Sequence, residues 1–81
     1  MSQWEKLLAR IRRHPKTVTF DELDILLQRA GFVRRQPRSG SSHYVYIKGN
    51  RILTVPKHSP YVKAVYVKQA LKVLDEEGPE S

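Results

Sequence analysis

Apolar residues in the first part of the chain recur at the spacing of an α-helix, in two separate segments. The apolar face of the first segment comprises Trp4, Leu7, Leu8 and Ile11. Ser2 precedes this segment, and Glu5 follows Ser2 by three residues, which is the pattern of a capping box. We therefore predict a first helix from about Gln3 to Arg13, followed by a short connection that begins near Pro15.

The second helical segment repeats this pattern. Its apolar face comprises Leu23, Leu26, Leu27 and Ala30. Thr19 is suited to the N-cap because Glu22 lies three residues later, and Gly31 is suited to the left-handed position that follows a helix. The pattern predicts a second helix between Thr19 and Gly31.

From Phe32 onward the apolar residues alternate with a period of two, as in β-strands. The predicted strands are residues 32–36, 43–48 and 51–55. Between the last two, Gly49 and Asn50 form a two-residue turn with glycine first, as a type II′ turn requires. Pro56 interrupts strand pairing, and helical spacing then resumes over residues 65–77.

This order of elements predicts the fold class. Helix, three antiparallel strands and helix make an α+β domain, with an extra N-terminal helix (residues 1–16), a main body (residues 17–77) and a tail (residues 78–81). A chain of 81 residues forms one domain with a modest core, too small for a deep enclosed pocket. Any chemistry is therefore expected on an open surface.

The Gly49-Asn50 turn also fixes which hairpin residues share a side of the sheet. One side carries Tyr44, Tyr46, Leu53 and Val55. The other side carries His43, Val45, Ile47, Ile52 and Thr54. Helices in this topology usually cover one side only, so the second apolar side needs an occupant. The N-terminal helix, a second copy of the chain in a homodimer, or another protein would serve.

Charge is distributed unevenly along the chain. The formal net charge is +7, and no acidic residue occurs between Asp24 and Asp75, where ten Lys and Arg residues lie. This pattern favours a polyanion as partner, and nucleic acid is favoured over solvated surface charge alone. A membrane is not expected as a partner, because no helix combines a broad apolar face with a lysine-rich face.

The composition also bears on cofactors and location. The chain has no cysteine, and its three histidines have no carboxylates near them in sequence, so we expect no metal and no other cofactor. Glu5 and several arginines interrupt the apolar residues of the N-terminus, which argues against a signal peptide, and no apolar run is long enough to span a membrane. The cytoplasm is the expected location.

Two histidines are candidates for acid–base chemistry on a phosphodiester. His43 begins a predicted strand, and His58 lies two residues beyond Pro56, the residue that faces His43 in the hairpin. If the strand continued through His58, both imidazoles would emerge on one side of the sheet and could share proton transfer. The alternative is that each histidine only bonds a turn carbonyl or water.

Several short motifs follow one another in a characteristic order. They are Gly31-Phe32 after an amphipathic helix, Arg35 and Arg38, Ser42-His43 at the start of a strand, and Val55-Pro56-Lys57-His58. Together, over about residues 17–77, they resemble the HicA family of toxin–antitoxin mRNA interferases, with Ser41 in place of the glycine that usually precedes Ser-His. The resemblance implies a fold like that of double-stranded-RNA-binding domains, metal-independent cleavage of mRNA, and a HicB-type antitoxin as partner. The antitoxin or a second copy is expected to cover Val45, Ile47 and Ile52.

By this resemblance, His43 takes the position of the family's catalytic histidine. RNA supplies its own nucleophile, the 2′-hydroxyl, so His43 would act as general base on that group or as general acid to the leaving oxygen. The residues expected to contact RNA are Arg35, Arg38, Ser42, Lys57, His58, Lys63 and Lys68. The alternative function is a non-catalytic RNA-binding module of the same fold. A DNA-binding or purely protein-binding domain is disfavoured, since no helix-turn-helix pattern with a basic recognition helix is present.

Overall fold

The computed structural model describes residues 2–35 and 43–77, which form three helices and one sheet. The elements are α1 (Gln3–Arg13), α2 (Phe20–Arg29), β1 (Val33–Arg35), β2 (His43–Lys48), β3 (Arg51–Pro56) and α3 (Ala64–Glu77). The strands make an open antiparallel sheet in the order β1-β2-β3. The predicted α+β class and element order are confirmed. Within these ranges, no helix has the length and apolar character that crossing a bilayer requires.

Both predicted capping boxes are present. The Ser2 hydroxyl accepts a hydrogen bond from the Glu5 N–H at 3.1 Å, and the Glu5 carboxylate accepts from the Ser2 N–H at 3.0 Å. Thr19 and Glu22 make the same pair of bonds at the start of α2, at 3.2 and 3.0 Å. Helix α2 is followed by Gly31 with φ of 106°, a conformation that strains any residue with a side chain.

The hairpin has the predicted register. Strands β2 and β3 pair from Lys48 with Arg51, beside the turn, to His43 with Pro56 at the open end. Gly49 has φ of 61°, and no described residue other than glycine has a positive φ, so the turn is type II′ rather than type I′. The two side-chain faces deduced from the sequence are therefore correct.

The face of the sheet that packs against the helices, called here the inner face, forms one side of the core. Its residues Tyr46, Leu53 and Val55 are buried. Each helix adds buried residues to the same cluster, among them Ile11, Leu23, Leu26, Leu27, Val67 and Ala70. The opposite, outer face carries His43, Val45, Ile47, Ile52 and Thr54, as the register requires.

Helix α1 packs on the helices and not on the outer face. Ile11 is fully buried in the core, and Trp4 Nε1 donates to a backbone carbonyl of α2 at 3.0 Å. Arg12 donates two hydrogen bonds to Asp75 of α3, at 2.5 and 3.2 Å. On the outer face, Ile52 is 64% exposed. Helix α1 therefore does not cover the outer face.

Candidate functional site

His43 lies at an exposed end of the sheet. It is the first residue of β2, it faces Pro56 of β3, and its side chain is exposed on the outer face. Because it is exposed, a polymer can reach it without entering an enclosed pocket. Two predicted RNA contacts that precede it, Arg38 and Ser42, lie outside the described residues.

The neighbouring strand brings Arg35 to the same face. Arg35 of β1 pairs with Val45, which makes it the diagonal neighbour of His43, about 7–8 Å away between backbone positions. The Arg35 side chain is exposed and makes no ion pair with a described residue. Thr54, opposite Val45 on β3, adds a hydroxyl to this row. Thr54 is not among the residues that the sequence predicts to contact RNA, although the hairpin register places it on this face.

Arg34 and Arg35 are adjacent in sequence but belong to opposite faces of β1. Arg34 pairs with Tyr46 and lies on the inner face, where its Nη1 donates to Asp24 at 3.2 Å. The Tyr46 hydroxyl donates to the same carboxylate at 2.8 Å. Burial, together with this hydrogen bond, raises the pKa of Tyr46 above its ordinary value, so the hydroxyl remains a donor. Arg34 thus stabilises the contact between helix and sheet, whereas Arg35 is accessible to a substrate.

His58 is held by the backbone of its own segment. Strand β3 ends at Pro56, so the strand geometry that would bring His58 beside His43 does not continue. The His58 Nδ1 lies 3.0 Å from the carbonyl oxygen of Tyr61, and because a carbonyl only accepts, Nδ1 must donate. His58 thus makes a hydrogen bond to a turn carbonyl, and its contact with RNA stays a prediction.

The three predicted lysines occupy different places. Lys57 directly follows β3, with its Nζ 5.5 Å from the centre of the Phe20 ring. Lys63 is exposed immediately before α3. Lys68 lies in a shallow groove between α1 and α3, which is lined by Arg12, Lys68, Leu71, Lys72, Asp75 and Glu76. Lys57 and Lys63 therefore flank the segment that leaves β3 near His43, whereas Lys68 belongs to the helix layer.

An exposed histidine and an exposed arginine on the open face of a small basic α+β domain make up the candidate site. Among residues 2–35 and 43–77, no group of three or more His, Asp or Glu side chains is placed to hold a metal ion. The model of a family described as the HicA toxin of bacterial toxin–antitoxin matches residues 20–75, from the start of α2 to near the end of α3. The domain is thus a toxin of a toxin–antitoxin system, and the chain belongs to the HicA family, as its motifs predicted. Neither curated proteins nor solved structures give a significant match.

Proposed function

We propose that this HicA-family toxin is an mRNA interferase, a metal-independent endoribonuclease that acts in the cytoplasm with His43 as its proton-transfer group. The sheet register supports this most directly, because it places His43 and Arg35 as diagonal neighbours on the exposed outer face. Membership of a toxin family also supports the proposal, since cleavage of mRNA stops protein synthesis and would make the chain toxic. Arginine and lysine side chains commonly hold phosphate groups, and Arg35, Lys57 and Lys63 could do so here.

The proposed reaction uses the substrate's own nucleophile. The 2′-oxygen of one nucleotide attacks the adjacent phosphorus, the bond from phosphorus to the 5′-oxygen breaks, and a cyclic phosphate and a 5′-hydroxyl result. His43 removes the proton from the 2′-hydroxyl or supplies the proton that the 5′-oxygen needs, and water takes up or supplies the other proton. Arg35 bonds the non-bridging phosphate oxygens, whose negative charge grows in the transition state.

The proposal is tested with purified chain, labelled single-stranded RNA and excess EDTA. We expect cleavage to continue in EDTA and to leave 2′,3′-cyclic phosphate and 5′-hydroxyl ends. The same RNA with 2′-O-methyl groups should bind but stay intact, because its nucleophile is blocked. Cleavage that needs a divalent ion, or that cuts the methylated RNA, would contradict the mechanism. Tight binding without any cleavage would favour the alternative, a non-catalytic RNA-binding module.

The outer face also supports a proposal about the antitoxin. Ile52 is 64% exposed, and Val45 and Ile47 lie beside it in the sheet. We propose that a HicB-type antitoxin covers this apolar surface and extends an acidic segment over the cations near His43, which excludes RNA. A homodimer through this face is less favourable, because two copies that each carry a net charge of +7 repel one another.

An exchange of one apolar residue separates toxicity from neutralisation. We expect Ile52→Lys to keep RNA cleavage but to weaken the complex with the proposed HicB-type antitoxin, since the lysine places a charge in an apolar contact. Ile52 is exposed, so the change should cost little stability. If the antitoxin relieves the growth arrest caused by Ile52→Lys as well as it relieves that of the unchanged chain, the antitoxin does not bind this surface. Ile25→Lys, at a 48% exposed residue of α2, is the matched control.

A further inference from the structure

The segment between β3 and α3 is fixed at both ends although it has no regular secondary structure. Strand β3 ends at Pro56, and α3 begins at Ala64. Within the segment, Val62 is 1% exposed, and its N–H donates to the carbonyl of Val18 at 2.8 Å. The burial of Val62 and its hydrogen bond to Val18 therefore fix the backbone next to Tyr61.

Tyr61, directly before Val62, is an aromatic residue that stays partly exposed. Its side chain is 41% exposed and makes no hydrogen bond or ring contact with a described residue. By comparison, Phe20 and Tyr44 pack against one another with ring centres 4.9 Å apart. Those two rings pack against each other, whereas Tyr61 keeps 41% of its surface exposed, and a ligand can contact that part.

The immediate surroundings of Tyr61 suit RNA. The imidazole of His58 donates through Nδ1 to the Tyr61 carbonyl at 3.0 Å. In the neutral ring this leaves Nε2 as an acceptor directed away from that carbonyl. Lys57 and Lys63, both exposed, lie at the two ends of the segment. Tyr61 lies between these two lysines in sequence, and the Lys57 Nζ is 5.5 Å from the centre of the Phe20 ring. Proteins bind single strands with aromatic rings that stack on bases and nearby cations that hold phosphates.

We propose that Tyr61 is a stacking platform for an unpaired base of the RNA substrate, with Lys57 and Lys63 holding the flanking phosphates. The proposal rests on the proposed ribonuclease function and adds a subsite to it. The ligand must be single-stranded, because the base faces of a duplex are already covered by their neighbours. The His58 Nε2 is then available to accept a hydrogen bond from an amino group of the stacked base.

The test compares Tyr61 variants in binding 2′-O-methyl RNA, which lacks the nucleophile and stays intact during the measurement. We expect Tyr61→Ala to bind a single-stranded oligonucleotide roughly 5- to 100-fold more weakly, the range that loss of one base stack produces. Tyr61→Phe should bind within about two-fold of the unchanged chain, because stacking needs the ring and not the hydroxyl. A 2-aminopurine in the oligonucleotide should lose fluorescence on binding the unchanged chain, and less on binding Tyr61→Ala.

Two controls make the result specific. Val65→Ala truncates an exposed apolar residue four positions further along and should leave binding unchanged. Duplex RNA of the same sequence should bind Tyr61→Ala and the unchanged chain equally well. The stacking proposal is overturned if Tyr61→Ala binds the single strand normally, if duplex binding falls as far, or if Tyr61→Phe loses as much as Tyr61→Ala. Normal binding and cleavage by Tyr61→Ala would remove this subsite alone, whereas failure of the unchanged chain to bind any RNA would remove the proposed function as well.

Discussion

RNA cleavage by the His43→Ala variant is expected to be about 10²- to 10⁴-fold slower than cleavage by the unchanged chain, the usual contribution of a general acid or base. The fold should survive, because His43 is exposed at the end of β2 and adds nothing to the buried core. Single-turnover cleavage of labelled RNA measures the rate, and circular dichroism with a thermal melt measures the fold. Expression of the variant should no longer arrest growth.

The other two histidines serve as controls for this prediction. His14 is exposed after the end of α1, where its backbone N–H and carbonyl make hydrogen bonds, so His14→Ala should cleave normally. His58→Ala should lose less activity than His43→Ala, because β3 ends at Pro56 and the imidazole is bonded to the carbonyl of Tyr61. A loss as deep as that of His43→Ala would revive a two-histidine mechanism. A folded His43→Ala variant that cleaves as fast as His14→Ala would refute the assignment.

The parts of the fold that depend on nearby residues could be predicted from the sequence. Each capping box is set by two residues three positions apart, and both are present as expected. The hairpin register follows from a two-residue turn that allows one pairing, so the sequence predicted that His43 and Ile52 share a face of the sheet. Local rules thus predicted the position of His43, one of the two residues of the candidate site.

The rest of the site depends on contacts between distant segments. The pairing of β1 with β2 is not set by a short turn, so no local rule assigned Arg34 to the inner face and Arg35 to the outer face. The end of β3 at Pro56, and the carbonyl that holds His58, likewise depend on how the following segment is anchored at Val62. The prediction that the lysines contact RNA rests on charge, and charge does not determine whether a lysine lies in the helix layer or beside the sheet.

The N-terminal helix illustrates the same limit. Its amphipathic pattern predicts a helix, and the order of motifs predicts that residues 1–16 are an extension of the main body. The family match begins at residue 20. The structure nevertheless places Ile11 of α1, with no exposed surface, in the same core cluster as Leu26 and Val67. We propose that α1 is an integral part of this domain rather than an appendage.

Ile11→Ala should therefore destabilise the chain by about 2–5 kcal/mol, the usual cost of truncating a fully buried Ile or Leu. That is a large fraction of the roughly 5–15 kcal/mol that separates folded from unfolded small domains, and the melting temperature should fall by more than about 10 °C. Urea and thermal unfolding followed by circular dichroism measure both quantities. If Ile11→Ala proves too unstable to purify, Ile11→Val, with an expected cost of about 0.5–1.5 kcal/mol, keeps the comparison possible.

The matched control for this change is Ile25→Ala, the same substitution at a 48% exposed position of α2. It removes the same atoms and makes the same small change in helix propensity, but it leaves no cavity, so its cost should stay below about 1 kcal/mol. The difference between the two variants isolates the burial of Ile11. Equal stability of Ile11→Ala and Ile25→Ala would mean that α1 only rests on the surface of a domain that is complete from α2 onward. A clear difference would mean that the core needs α1, and that a chain lacking its first thirteen residues would expose the α2 and α3 surfaces on which Trp4 and Arg12 now lie.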